Sequence, residues 1–152
     1  MAYLDIIPLV DAKVYLRIDD DLTEDDNQII RMIKGSLSYI EQYTNIYLFD
    51  RDKTYNVQDN CVKVYDFPIN SEVSTYTEKE TLTLHTNYTT DETEFTLNIG
   101  YADVTDIPQE LLEVAYTIIK SMYFEKESNK SVLDGLDSLS MMTLNQYKRF
   151  II

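Results

Sequence analysis

Few side chains in this sequence could carry covalent chemistry. Its 152 residues include one histidine, His85, and one cysteine, Cys61. A Cys–His dyad needs the two within hydrogen-bonding reach and a third group to orient the ring. Nothing in the local sequence supplies this, and a lone cysteine among Val and Tyr reads as a small buried hydrophobe. There is no Gly-x-Ser-x-Gly elbow. Three scattered glycines cannot form a phosphate-cradling loop. One Cys and one His do not make a zinc site. With 27 acidic residues, any carboxylate pair could be named, so the pairing has no specificity.

The densest group of possible ligands is Asp19, Asp20, Asp21, Glu24, Asp25 and Asp26. An EF-hand loop needs Gly at position six and a carboxylate at position twelve. Counted from Asp19, Asp21 fits position three, but Glu24 stands at six and Ile30 at twelve. The pattern fails, and the run reads as a solvated turn that starts a helix. The residues therefore point to a protein without catalytic set, metal or cofactor.

Charge excludes further classes. Thirteen Lys and Arg against 27 Asp and Glu give a formal net charge of −14. Such a chain is repelled by DNA phosphates and anionic membranes. Thirteen Tyr and five Phe do not change this, because base stacking needs a basic groove beside the rings. No apolar run approaches the ~20 residues of a membrane helix. Residues 1–10 carry Asp5 and no basic residue, unlike a secretory signal. The length suits one domain, 1–152.

The elements follow from periodicity. Residues 1–18 read as a short helix with an extended lead, Pro8 in its first turn and Leu9, Ala12 and Leu16 on one stripe. Lys13 and Arg17, one turn apart, are expected to share a face. Thr23 and Asp26 have capping-box spacing. A long helix then runs through Ile29, Ile33, Leu37, Ile40 and Thr44 to a stop at Asn45, with Gly35 marking a close helix contact. From Tyr47 to Gly100 β-formers dominate. Short strands are expected at 56–57, 62–65, 73–76, 81–85 and 95–99, with 87–94 as a hairpin connection. Nine Thr between Thr75 and Thr96 fit a solvated sheet face. Asp106 and Pro108 open a second long helix with Leu111, Ala115, Ile118 and Met122 on one stripe, ending near Glu127. A loop at 128–131 and a tail with spaced Leu and Met follow. The fold class is α+β and mainly helical, with two long and two shorter helices and a β-rich stretch (47–100) between the long ones. The helical part is 1–46 and 101–131, and 132–152 is a closing segment.

Three stretches in this order resemble the head–tail connector (adaptor) family of tailed bacteriophages. The first runs Ala12-Lys13-Val14-Tyr15-Leu16-Arg17-Ile18-Asp19, an acidic turn, then a helix ending Tyr39-Ile40-Glu41-Gln42-Tyr43-Thr44-Asn45. The second is Ile99-Gly100-Tyr101-Ala102 followed by Ile107-Pro108 and a helix ending Met122-Tyr123-Phe124-Glu125. The third is Leu144-Asn145-Gln146-Tyr147-Lys148-Arg149-Phe150, similar to a closing Leu-x-x-Tyr-Arg, with Lys148 as a departure.

The resemblance implies a helical bundle with the β stretch 47–100 as an insertion, and a non-enzymatic virion protein made in the bacterial host cytoplasm and located at the head–tail junction. It implies a homo-oligomeric ring of twelve copies beneath the portal protein, joined to a downstream neck or tail protein. By the same analogy Leu144, Tyr147, Lys148, Arg149, Phe150, Ile151 and Ile152 dock on the portal. Asp19, Asp20, Asp21, Glu24, Asp25 and Asp26 become candidates for lumen or subunit-interface charge. DNA would pass through without specific binding, and no membrane is involved. The alternative is an acidic DNA-mimic inhibitor of a DNA-binding enzyme.

Overall fold

The computed structural model describes residues 2–70, 77–81, 85–124 and 136–149, with 77–81 described by backbone alone. Among these the chain is α+β, with five helices and two small antiparallel sheets. The helices are α1 (Tyr3–Ile6), α2 (Leu9–Leu16), α3 (Asp26–Thr44), α4 (Gln109–Phe124) and α5 (Ser138–Tyr147). The strands are β1 (Arg51–Asn56), β2 (Cys61–Val64), β3 (Thr77–Thr81), β4 (Thr86–Thr89) and β5 (Glu94–Ile99). No helix of the described residues is long and apolar enough to cross a membrane.

Helix α3 forms where its Ile and Leu residues recur every three or four positions. Ile29, Ile33, Leu37 and Ile40 are fully buried in one stripe. Helix α4 meets it with Leu111, Ala115, Ile118 and Ile119. Helices α2 and α5 each pack on both α3 and α4, and α1 packs on α3. Asn45 ends α3 in the left-handed conformation (φ 58°), with its N–H on the Glu41 carbonyl at 2.9 Å. Asp137 opens α5, its carboxylate accepting the Ser140 N–H at 2.7 Å.

Several helix boundaries differ from expectation. Residues 3–16 form two helices, because Ile7 and Pro8 are extended and Pro8 stands before α2, not inside its first turn. The Thr23–Asp26 box does not form: α3 starts at Asp26, with Asp25 at the cap position and no side-chain cap bond. Asp106 does not cap α4; it ends a 3₁₀ turn (Val104–Asp106) that Asp103 caps by accepting the Thr105 N–H at 2.8 Å. The expected continuation to Glu127 and the loop 128–131 lie outside the described residues.

The largest departure is Lys13. Expected on one face with Arg17, which is exposed, it is instead 2% exposed. Its ammonium forms an ion pair with Asp26 at 2.8 Å and donates to the Asp20 carbonyl at 2.9 Å. Helix α2 turns this face towards the start of α3. Arg17 lies just past the helix end in a left-handed conformation (φ 60°) and stays in solvent. The acidic turn is thus tied to the core by a buried lysine.

The β region holds a second, smaller core of Val62, Val64, Tyr88, Phe95, Leu97 and Ile99. Strand β1 pairs with β5, Arg51 opposite Ile99, and the second sheet has the order β2-β4-β3. Phe95, Leu97 and Ile99 alternate inward as expected. Strand β1 lies earlier than the expected 56–57, because Arg51, Lys53 and Tyr55 supply its inner face through long stems and a ring. The expected connection 87–94 begins as strand β4, where Asn87 and Tyr88 are buried. The expected strand 81–85 is not continuous: β3 ends at Thr81, His85 is outside a strand, and 82–84, like 73–76, lie outside the described residues.

The chain crosses itself at Gly100. Its φ is +96°, and a Cβ there would collide with the Phe49 carbonyl. Its N–H donates to the Pro68 carbonyl at 2.8 Å. Gly35 differs: a Cβ would meet Met122 Cε at an ordinary 3.8 Å, so no close approach requires glycine there.

These contacts set the expected cost of several substitutions. Gly100→Ala should destabilise by more than ~3 kcal/mol, or fail to fold, in urea unfolding, because strain and a backbone clash add. Gly35→Ala should be neutral or stabilise by up to ~1 kcal/mol. Asp26→Asn should cost about 2–3 kcal/mol by stranding the buried ammonium. Asn at Asp19 or Asp21 should stay within ~0.5 kcal/mol, as measured by the same unfolding curves.

Candidate functional site

Parts of all three sequence stretches that carry the family resemblance meet at the C-terminal end of α3: Tyr43 to Asn45 from the first, Tyr101 from the second, and Asn145 and Arg149 from the third. Glu41, one turn before that end, uses both carboxylate oxygens. Oε2 accepts the Tyr3 hydroxyl at 2.7 Å. Oε1 accepts the Leu48 N–H at 2.7 Å and the Arg51 guanidinium at 2.6 Å. Arg51 also stacks on the Phe49 ring, 3.9 Å from its centre. Burial, then the bond to Glu41, raises the pKa of Tyr3. Helix α1, the end of α3 and the start of β1 are thereby held at one carboxylate.

A second carboxylate, Asp66, accepts from Lys53 Nζ at 2.9 and 3.0 Å and from the Tyr55 hydroxyl. Burial depresses Lys53, but the hydrogen bonds and charges of Asp66 and Tyr47 together outweigh it and raise its pKa. Burial and Asp66 together push Tyr55 far above the usual phenol range. A cleft of about 440 Å³ lies between these groups, bordered by Tyr3, Glu41, Tyr47, Arg51 and Asp66. Both of its carboxylates are already engaged, so it offers structural ion pairs and no reacting group.

The closing segment lies against this joint. The Arg149 N–H donates to the Thr44 carbonyl at 2.8 Å, and Asn45 Nδ2 donates to the Arg149 carbonyl at 2.6 Å. The Tyr43 hydroxyl donates to Asn145 Oδ1 at 2.8 Å. The Tyr147 hydroxyl reaches Glu110 Oε2 at 3.3 Å. Lys148 lies over the Tyr43 ring at 4.6 Å and Arg149 over the Phe67 ring at 4.4 Å. Burial lowers the pKa of Arg149, with nearby Asp66 and Tyr101 opposing.

The expected docking residues therefore divide. Leu144 is fully buried in the main core and cannot touch a partner in this conformation. It fastens α5 from inside. Tyr147, Lys148 and Arg149 are half-buried on the joint. Phe150, Ile151 and Ile152 lie outside the described residues.

The acidic run divides as well. Asp19, Asp20, Asp21 and Glu24 are exposed, while Asp25 and Asp26 are half-buried. Asp25 accepts the Tyr123 hydroxyl at 2.7 Å, and that bond raises the Tyr123 pKa. No group of three or more possible metal ligands occurs among the described residues. Cys61 and His85 lie beyond reach of each other. Cys61 pairs with Thr89 at one end of the β2–β4 ladder, and His85 precedes Thr86 at the other, about 13 Å away along the strand. Cys61 is also half-buried, not the buried hydrophobe expected.

Sequence reasoning did not single out Glu41, Asp66 or Asn45 as anchors. Glu41 and Asn45 stand inside a quoted family stretch, which was the available signal. Asp66 had none, because its partners Lys53 and Tyr55 come from another strand.

Comparison with known proteins gives the same direction. A search among curated proteins finds no match. The chain is similar to a solved structure described as the neck of an empty GTA particle computed with C6 symmetry. The TM-score is 0.73 at 12% identity, over 100% of this chain and 94% of that one. It is also similar to one from the virion of a native gene transfer agent (GTA) particle, with TM-score 0.70 at 11% identity, over 97% and 91%. At such identities the likeness establishes a shared fold over the whole chain. Residues 6–70, which span the Lys13 clasp, the acidic turn, α3 and Asp66, match the family described as phage gp6-like head-tail connector protein.

Proposed function

We propose that the chain is the connector subunit of a virion, forming a ring directly below the portal and linking it to the next neck or tail component. The match of residues 6–70 carries this reading. The similar neck structure, computed with C6 symmetry, is compatible with a ring of twelve copies. The whole chain, 1–152, acts as one connector domain, with its helices as the frame and residues 47–100 as a β insertion. The subunit is made in the host cytoplasm and functions at the head–tail junction.

In this reading the closing segment docks on the portal. Tyr147, Lys148, Arg149, Phe150, Ile151 and Ile152 provide the contact, and Leu144 holds their helix in place. The aromatic–aliphatic end supplies an apolar anchor, and the two cations give orientation in an otherwise acidic chain. Asp19, Asp20, Asp21 and Glu24 face the channel or a subunit boundary, set there by Asp25 and Asp26. Each copy brings a charge of −14, so DNA slides through a ring that binds no phosphate. A DNA-mimic inhibitor has no observation of its own in favour.

Deleting Phe150–Ile152 should reduce affinity for purified portal rings at least tenfold while leaving the unfolding midpoint unchanged. Undiminished portal binding would remove the docking assignment. Leu144→Ala should act differently, costing about 2–5 kcal/mol in chemical denaturation through the cavity it leaves.

A further inference from the structure

We infer that neighbouring copies join head to tail, the outer face of α2 in one packing on the outer face of α5 in the next. The inference rests on the ring reading above and specifies its interface. Both helices are apolar on two sides. Helix α2 buries Ala12 and Leu16 yet leaves Val10 51% and Val14 71% exposed, one turn apart. Helix α5 buries Leu144 yet leaves Leu139 72% and Met142 61% exposed, also one turn apart. The outward face of a helix in a monomer is normally polar, so two such stripes need a cover.

The stripes look in different directions. On α4, Tyr116 stacks with Tyr15 of α2 (4.9 Å), whereas Glu110 receives Tyr147 of α5. At 3.6 residues per turn these positions lie on different sides of α4, and Met122, which approaches Gly35 of α3, lies on a third. Helices α2 and α5 therefore occupy separate flanks of the α3–α4 pair. A two-fold contact would need both stripes in one patch, because each is matched to the other at once. Stripes on separate flanks instead match one copy to the next, a heterologous contact that closes into a ring when the rotation allows.

Charge selects a second copy as the occupant. Copies at −14 repel, so their contact must be apolar or locally complementary. Both conditions hold when the helices cross antiparallel. Val10 and Val14 then lie over Met142 and Leu139, and exposed Arg17, just past α2, comes beside exposed Asp137, just before α5. Asp137 is held ionised by the Ser140 N–H and hydroxyl, which lower its pKa.

Cysteine trapping in the full chain tests this. Cys61→Ser is combined with Val14→Cys and Leu139→Cys, and mild oxidant is applied with and without purified portal rings. All three sites are exposed or half-buried, and circular dichroism checks the fold. The double variant should give a ladder of disulfide-linked multimers, in at least one condition, while each single-cysteine variant stays monomeric. No ladder in either condition, or dimers from Val14→Cys alone, would overturn the inference. Val14→Glu should lower ring yield at least tenfold. A ladder without portal affinity would retain the inference and sink the docking reading; portal binding without a ladder would do the reverse.

Discussion

The carboxylate of Glu41 is the point on which the arrangement depends. A single side chain, one turn from the end of α3, receives Tyr3, the Leu48 backbone and Arg51. Helical and β parts otherwise have separate cores, one around α3 and α4 and one between the sheets. Two cores joined by a loop would rock against each other. A half-buried carboxylate with charged and uncharged donors resists that, because each hydrogen bond to it is directional and strengthened by its charge. Gly100 and the Arg149 backbone close the same joint from other sides. The closing segment is thus placed by the joint itself.

The long helices were legible because their own residues specify them. Ile29, Ile33, Leu37 and Ile40 need no distant partner to mark a face. Asn45 was legible as a stop for the same local reason. What failed was long-range. Lys13 was expected to share a face with Arg17, but Asp26, thirteen positions later, draws it into a buried ion pair. Asn87–Thr89 looked like part of a polar connection because Asn87 and Thr89 mask the one large apolar group, Tyr88. The docking assignment treated residues 144–152 as one unit. A leucine at helical spacing can point to its own core as easily as outwards, and Leu144 does.

In the proposed role the chain has to be inert towards what it surrounds and specific towards what it joins. Inertness is a matter of composition: acids spread along the chain, few cations, no phosphate cradle. Specificity needs positioned groups, and they are concentrated where the chain is most constrained. Lys148 and Arg149 lie on aromatic rings, which limits their rotamers without quenching their charge. Cations restrained in this way lose less entropy when a partner meets them.

The Lys13 clasp separates geometry from range. A buried ion pair is hardly touched by dissolved electrolyte, so the acidic turn keeps its shape across ionic conditions. The field of its exposed carboxylates has no such protection and fades over roughly 8 Å at physiological ionic strength. A polyanion travelling farther away than that would meet little more than water and counterions. One straying nearer would feel a repulsive wall whose position is set by a lysine that never reaches the surface.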